Sequence, residues 1–348
     1  MSTQNVKVSI VVPVYNAEKT IERTLNSLCS QTLREIEIIC VLDKPTDNSE
    51  CIVKAMAEKD DRIVVIENDS NKGVAESRNI GMKHARGQYV GFSDNDDFQE
   101  KDMYEMLYKT SVEYNSNVCF SDVYIDFSGG GDTVAEIHPV CADYYDIPSD
   151  VSDISILAVF KDPTRDSLVR DLLVQEELMI NFCVRDVWNC LYKKSFIENN
   201  GIFFLDRSKF NEEDTLFNLM CYSKTDRISY CNKPFYHWCR QPHSLATAAC
   251  SHSEAMDKVL NMMEMKWDIL ENNCLKSYRK DFWIGFSYYF RRYYVVIKAF
   301  DAGRKHRMHE LIVHSGFPLL GKYRDMKLFS KIRIKLFFLT VQLKYFTR

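Results

Sequence analysis

Apolar runs and stretches of helical spacing alternate along the first hundred residues. Continuous apolar runs typical of buried strands cover 7–14, 36–42, 62–67 and 89–92. Between them, helices are predicted at 18–31, 49–59 and 73–85. Asn16 is the predicted N-cap of the first helix. Strands that alternate with helices through short connections predict an α/β fold: a doubly wound, mostly parallel sheet with helices on both faces.

The rest of the chain has a more helical pattern. A strand is predicted at 118–127, and the predicted helices are 101–114, 186–199, 212–223, 254–272 and 281–301. We therefore expect a sheet-containing domain over 1–246 and a helical region over 247–348.

The stretch GQYVGFSDNDD (87–97) carries the main candidate chemistry of the chain. A short predicted strand in it is followed directly by Asp94, Asp96 and Asp97. Asp94 and Asp96 are two residues apart, so in extended chain they project to the same side. Two hard oxygen donors suit Mg²⁺ or Mn²⁺. The alternative is a strand that ends in a solvated acidic turn. Since ligands of such sheets bind at the carboxyl ends of the strands, Pro13–Asn16, Asp43, 71–73 and 94–97 should meet there.

Composition narrows the class of protein. The chain has 348 residues, 46% hydrophobic and 27% charged, which allows a sizeable core. A net charge of −4 gives no electrostatic case for nucleic-acid binding. The start lacks the apolar region of a secretory signal, and no apolar run is long enough to span a membrane. The twelve cysteines form no C-x-x-C pair, so we expect reduced thiols and a cytoplasmic location.

Eight segments between residues 6 and 246 resemble, in order, the inverting glycosyltransferases of family 2, which have the GT-A fold. The segments are VSIVVPVYNAE (8–18), SLCSQT (27–32), EIICVLDKPTDNS (37–49), NKGVAESRNIG (71–81), GQYVGFSDNDD (87–97), VWNCLYKKSF (187–196), NEEDTLFN (211–218) and KPFYHWCRQPHSLA (233–246). The last three look most like the bacterial subgroup that builds capsule, lipopolysaccharide and teichoic-acid glycans. The resemblance implies a UDP-sugar donor, Mn²⁺ or Mg²⁺ as cofactor, and a glycan or lipid-linked glycan acceptor.

The resemblance also implies roles for individual residues. Asp94 and Asp96 match metal contacts, and His237 is a further candidate ligand; His243 is plausible in the same loop. Asp43 matches the acid that accepts a hydrogen bond from uracil. The residues matched to nucleotide-sugar binding are Pro13, Tyr15, Asn16, Glu18, Asp43, Asn71, Lys72, Arg78, Asp94, Asn95, Arg240 and Ser244.

One departure affects the base pocket. The family usually reads Asp-Asp-Gly-Ser where this chain has Leu42, Asp43, Lys44 and Pro45. Uridine is the preferred base because Asp43 is retained, but the replacement of the Gly-Ser turn leaves another base open.

The acceptor side is matched by Glu213 and Asp214 at the start of a helix. Asp214 is the expected general base, and Glu213 would position it or the acceptor. The alternative is an acidic first turn stabilised by the helix dipole. Trp188 and Asn189 are expected near the acceptor, with helix packing as the other interpretation.

The C-terminal residues 322–348 contain eight basic residues and one acid, with apolar positions at helical spacing. Such a helix predicts peripheral contact with the inner face of the cell membrane, or packing against the protein.

The predicted function is a metal-dependent inverting glycosyltransferase that moves a sugar from a UDP-sugar to a hydroxyl of a surface glycan. The alternatives are a non-catalytic sugar- or nucleotide-binding domain and an Asp-x-Asp phosphatase. The phosphatase is disfavoured because Asp97 and Phe98 stand where Thr or Gly and an aliphatic residue are needed.

Overall fold

The computed structural model describes residues 5–126, 165–174, 185–239 and 252–279, together with a few positions between 281 and 311. Eight strands form one sheet within these residues: β1 Val8–Val14, β2 Ile36–Leu42, β3 Ile63–Glu67, β4 Tyr89–Phe92, β5 Phe98–Gln99, β6 Val118–Asp126, β7 Cys190–Lys193 and β8 Ile228–Cys239. The described helices are α1 Ile21–Cys29, α2 Ser49–Ala57, α3 Gly73–His84, α4 Met103–Glu113, α5 Arg165–Val174, α6 Lys194–Asn199, α7 Glu213–Ser223 and α8 His252–Asn272.

The sheet has a parallel half and a mixed half, in the order β3-β2-β1-β4-β7-β6-β8-β5. Strands β1 to β4 run parallel, with Val8 opposite both Ile36 and Tyr89. In the other half, β7 is antiparallel to β4 and β6, β8 is parallel to β6, and β5 is antiparallel to β8. The mixed α/β architecture with a mostly parallel core agrees with the predicted fold class.

Strands β1 and β2 are buried along their whole length, because helices cover a parallel sheet and its strands are therefore apolar throughout. Helix α3 lies directly on β1 at Gly81. A Cβ at that position would come within 2.3 Å of Cγ1 of Val11, so only glycine permits this approach. The carboxyl ends of β1, β2, β3 and β4 lie on one edge of the sheet, as parallel pairing requires.

An aromatic cluster joins the two halves of the sheet. Phe92 of β4 and Tyr192 of β7 pack against Phe204 and Phe217, and the last two rings stack at 4.1 Å. Phe217 belongs to α7, so this cluster sets the distance between β4 and that helix.

Some predicted elements were wrong. Residues 190–193, predicted as helix, form β7 because β4 and β6 both pair with them; α6 begins only at Lys194. The segment 233–239, where His237 was expected to share a loop with His243, belongs to β8. Asn16 is not the N-cap of α1, which begins at Ile21. Its Oδ1 instead accepts a hydrogen bond from the N–H of Thr46 at 2.8 Å.

Predicted helix 254–272 corresponds to α8. Most of 281–301, and all of the basic segment 322–348, lie outside the described residues. Every cysteine that the structure describes is a free thiol. In the described part of the chain, no helix has the length and apolar character that a membrane crossing needs.

Candidate active site

The acidic loop, residues 94–97, connects β4 to β5 at the carboxyl edge of the sheet. Side chains at the start of α1 hold the backbone of the acidic loop. Thr20, the residue before the helix, donates from Oγ1 to the carbonyl of Asn95 at 2.9 Å, and Thr24 Oγ1 donates to that of Asp97 at 2.6 Å. Arg23 donates to the carbonyl of Asp96. Because these carbonyls are bound to a helix, the carboxylates of the loop have fixed positions.

The three carboxylates of the acidic loop have different environments. Asp97 is buried and accepts hydrogen bonds from the Tyr236 hydroxyl and the N–H of Cys239, both at 2.7 Å. Asp97 therefore ties the loop to β8, and its burial raises its pKa well above the ordinary value. Asp94 keeps 32% of its side chain exposed. Burial and the nearby charge of Asp94 raise the pKa of Asp96 to about 6.

A divalent cation fits this pair of carboxylates. Repulsion between Asp94 and Asp96 is the kind of cost that a bound cation offsets. Among the described residues, no three His, Cys, Asp or Glu side chains are grouped to hold a metal ion. The chain would thus supply two hard oxygen donors, and diphosphate and water oxygens would complete the shell, as is usual for Mg²⁺.

Arg78 of α3 joins the acidic loop to the start of α7. Its guanidinium is 3% exposed and lies 2.8 Å from Oδ1 of Asp94 and 2.5 Å from Oδ1 of Asp214. The guanidinium also stands over the ring of Phe204 at 5.2 Å. Its Nε is buried and has no hydrogen-bond partner among the described residues. One arginine therefore holds together two carboxylates that lie 120 positions apart in the sequence.

The first turn of α7 carries the other carboxylates. Glu213 is 4% exposed and pairs with Nη1 of Arg207 at 2.9 Å; it is also 3.8 Å from Arg78. Burial raises the pKa of Asp214 well above its ordinary value, and the Arg78 guanidinium opposes that shift. The charges of Glu213, Asp94 and Asp186 raise it further. Asp214 is 17% exposed, so its carboxylate remains accessible.

Asp43 follows β2 and is buried beneath the start of α3. Its carboxylate accepts hydrogen bonds from the N–H groups of Lys72 and Gly73, both at 2.8 Å, and from Nδ2 of Asn68 at 2.7 Å. The first two of these bonds satisfy N–H groups at the beginning of the helix. The predicted contact of Asp43 with the base stays a prediction.

The loop that follows β1 is braced against the one that follows β2. Glu18 Oε2 accepts a hydrogen bond from the N–H of Asn48 at 3.2 Å, and Tyr15 remains 45% exposed. Lys44 has φ +55°, the left-handed conformation that glycine adopts most easily. A lysine thus adopts here a conformation that would suit the glycine of the family's usual sequence.

Asn71, Lys72 and Asn95 are also predicted to bind the nucleotide-sugar. Asn71 is exposed, and Lys72 pairs with Asp69 at 3.0 Å. Asn95 uses its amide to donate to the carbonyl of Pro13 at 3.0 Å, so it ties the acidic loop to β1. Arg240, His243 and Ser244 lie outside the described residues.

The geometry does not support His237 as a metal ligand. Its ring is stacked between Phe98 at 4.1 Å and Tyr124 at 4.5 Å, and its Nε2 is 3.0 Å from Oε1 of Glu100. His237, a residue of β8, thus packs between side chains of β5 and β6. Trp188 is likewise buried and stacks on Tyr236 at 4.4 Å, and buried Asn189 donates to the carbonyl of Ser121, so both serve packing.

Two charged residues of the site were not predicted. Arg207 pairs with Glu213 across a loop, where no regular spacing could indicate it. Asp186 precedes β7; burial raises its pKa to about 6, and the charge of Asp94 adds to that effect. The predicted helix at 186–199 gave no indication of Asp186, whose pKa responds to the charges of both Asp94 and Arg78.

The family model described as "Glycosyl transferase family 2" matches residues 9–198, more than half of the chain. The chain belongs to glycosyl transferase family 2. The predicted family is thereby confirmed.

Two relatives show how far the likeness extends. Glycosyltransferase GlyA of Streptococcus pneumoniae is 32% identical over 66% of this chain and 30% of its own length. A second relative, of Escherichia coli, is named "UDP-Glc:alpha-D-GlcNAc-diphosphoundecaprenol beta-1,3-glucosyltransferase WfaP"; it is 43% identical over 26% of this chain and 36% of its own length. The match thus covers less than two thirds of either relative.

Among solved structures, the crystal structure of S. aureus TarS 1–349 in complex with UDP-GlcNAc matches with a TM-score of 0.66. It is 20% identical, and the match covers 97% of this chain and 91% of TarS 1–349. This likeness confirms the GT-A fold of this family 2 domain.

Proposed function

We propose that this family 2 protein is a metal-dependent, inverting glycosyltransferase that moves a sugar from a UDP-sugar to a hydroxyl of a bacterial surface glycan. One observation carries the proposal. Arg78 holds Asp94, on the donor side, and Asp214, on the acceptor side, within the span of one guanidinium. A donor bound at the acidic loop would therefore place its sugar beside a candidate base.

On the donor side, Asp94 and Asp96 would hold Mn²⁺ or Mg²⁺. When bound, the cation would act as a Lewis acid toward the diphosphate leaving group. The UDP-GlcNAc complex of TarS and the UDP-glucose donor in the name of WfaP both support UDP as the nucleotide.

On the acceptor side, Asp214 would remove the proton of the attacking hydroxyl. The acceptor oxygen then forms a bond to the anomeric carbon as the bond from that carbon to the diphosphate oxygen breaks, with inversion. Arg78 keeps the pKa of Asp214 lower than burial alone would set it. The arginine therefore increases the fraction of Asp214 in the form that can accept a proton.

The proposed acceptor is a lipid-linked or growing glycan. The name of WfaP records a diphosphoundecaprenol acceptor, which supports a lipid-linked substrate here. Contact of 322–348 with an anionic membrane surface is part of the same proposal. Full-length protein should pellet with anionic vesicles, and charge reversal at Lys331, Arg333 and Lys335 should reduce pelleting; equal pelleting would contradict the membrane contact.

The decisive experiment is calorimetric titration of UDP, GDP and CDP, each with Mn²⁺ and again with EDTA. We expect UDP to bind best, and only with the metal. Asp96→Asn should weaken binding by at least about 10–100-fold, the loss that even an outer partner of a metal ligand causes.

The same titration separates the alternatives. A non-catalytic binding domain would bind UDP with the metal but show no transfer to any glycan acceptor. If no nucleotide binds under any condition, the donor proposal is wrong.

A further inference from the structure

A buried lysine, Lys266 of α8, lies behind the first turn of α7. Its side chain has no exposed surface, and its Nζ donates to the carbonyl of Leu172 at 3.0 Å. The same Nζ is 3.9 Å from Oε2 of Glu212, within the range of an ion pair. We propose that Lys266 is a positioning residue: through Glu212 it fixes the turn that presents Glu213 and Asp214. This inference rests on the proposed function.

Glu212 has an unusual backbone conformation. Its φ is +58° and its ψ is +51°, the left-handed region that costs roughly 1–2 kcal/mol for a residue with a Cβ. Its carbonyl accepts the hydrogen bond from the N–H of Leu216 at 3.0 Å, so the direction of α7 is set at this residue. Such a conformation persists only where surrounding contacts enforce it. The ion pair with Lys266 is one such contact.

Burial makes a charged amine at this position costly. Burial lowers the pKa of Lys266 to about 8; the charge of Arg185 acts in the same direction, while that of Glu212 opposes it. A methionine would fill a similar volume without that cost. The carbonyl of Leu172 that accepts this hydrogen bond belongs to α5. Lys266 thus connects α5, α8 and the residue that precedes α7.

Three consecutive carboxylates are in contact with cations from three different parts of the chain. Lys266 of α8 faces Glu212, Arg207 pairs with Glu213, and Arg78 of α3 pairs with Asp214. An arrangement of this kind positions the turn from three directions. Loss of Lys266 would release Glu212, the residue of this turn that lies farthest from Arg78. The Asp214 carboxylate could then move relative to the donor sugar.

The test compares Lys266→Met with Arg165→Met. Arg165 donates to the carbonyls of Tyr222 and Ser223, at the opposite end of α7, so its loss also weakens helix packing without touching Glu212. We expect Lys266→Met to lower transfer by roughly 10–100-fold, the scale that a misplacement of about 1 Å produces. UDP–Mn²⁺ affinity should stay within about twofold, since the donor contacts remain. Lys266→Arg keeps the charge and should restore part of the rate.

Glu212→Gly shows whether the effect passes through Glu212. Glycine adopts the left-handed conformation without a Cβ and has no carboxylate, so Lys266→Met should have little additional effect in this background. Amide exchange of a peptide covering 212–217 supplies a readout that needs no turnover. It should accelerate in Lys266→Met and not in Arg165→Met.

The outcomes are distinct. Unchanged transfer and unchanged exchange in Lys266→Met, or an equal loss of transfer in Arg165→Met, would overturn the positioning role. If the wild type transfers no sugar, the proposed function fails instead, and the exchange comparison still decides whether Lys266 fixes this turn.

Discussion

The donor side and the acceptor side of the proposed site are held together in different ways. Strands β1 to β4 come from one continuous part of the chain, and β1, β2 and β4 are buried along their whole length. The acceptor side combines α7, the 206–209 turn, α3 and α8, and ion pairs between distant residues connect them. The donor side is therefore specified by local pattern, whereas the acceptor side depends on individual side chains. Substitutions on the acceptor side should therefore affect mainly the rate of transfer. Substitutions in the buried strands and helices of the donor side should affect mainly stability.

Asp214→Asn should give the largest effect and would sharpen this contrast. Loss of the proposed general base should lower transfer by about 10²–10⁴, while UDP–Mn²⁺ affinity, measured by calorimetry, stays near that of the wild type. Glu105→Gln is a matched control, since Glu105 also lies in the first turn of a helix, α4. If both variants transfer sugar at near-normal rates, Asp214 serves only the helix dipole.

Gly81→Ala tests the close packing of α3 on β1, on the donor side. The added Cβ would meet Cγ1 of Val11 at 2.3 Å, so we expect a loss of about 1–3 kcal/mol in the free energy of unfolding, measured in urea. Val11→Ala removes the opposing methyl groups and should recover part of that loss in the double variant. At Gly201, where φ is +59° and no atom lies within 4 Å of the new Cβ, alanine should cost only the backbone strain, roughly 1–2 kcal/mol. Equal losses at the two glycines, unrelieved by Val11→Ala, would contradict the tight approach of α3 to β1.

The pH dependence should show the smallest effect. As the proposed base, Asp214 would accept a proton only when deprotonated, so kcat/KM should fall as the pH decreases through its raised pKa. The Arg78 guanidinium holds that pKa down, and Arg78→Lys replaces the bidentate bridge by a point charge. The acidic limb of the profile should therefore move to higher pH in Arg78→Lys. If the acidic limb lies at the same pH in Arg78→Lys as in the wild type, Arg78 does not control the pKa of Asp214.

The contrast also explains what sequence analysis could predict. The four parallel strands were placed to within a residue, because continuous apolar runs bounded by polar turns have few other interpretations. Strand β7 was predicted as helix because four residues are too few to show a period, and β5 has only two. Arg78 and Asp214 lie 136 positions apart, so the local pattern of apolar and polar residues cannot indicate their contact. Both residues were found through family resemblance, and Asp186, Arg207 and Lys266 had no such signal.

The hydrogen bonds of Asp43 have a consequence for how phosphate charge can be neutralised. The start of a helix, with its exposed N–H groups and positive dipole, commonly binds phosphate in nucleotide-binding folds. At α3, the N–H groups of Lys72 and Gly73 already point at the carboxylate of Asp43. This helix start therefore carries its own internal anion and has little attraction left for a diphosphate. Under the proposed function, side-chain cations and a divalent ion would neutralise the phosphate charge, so nucleotide affinity should respond to chelators far more steeply than in proteins that bind phosphate with bare helix ends.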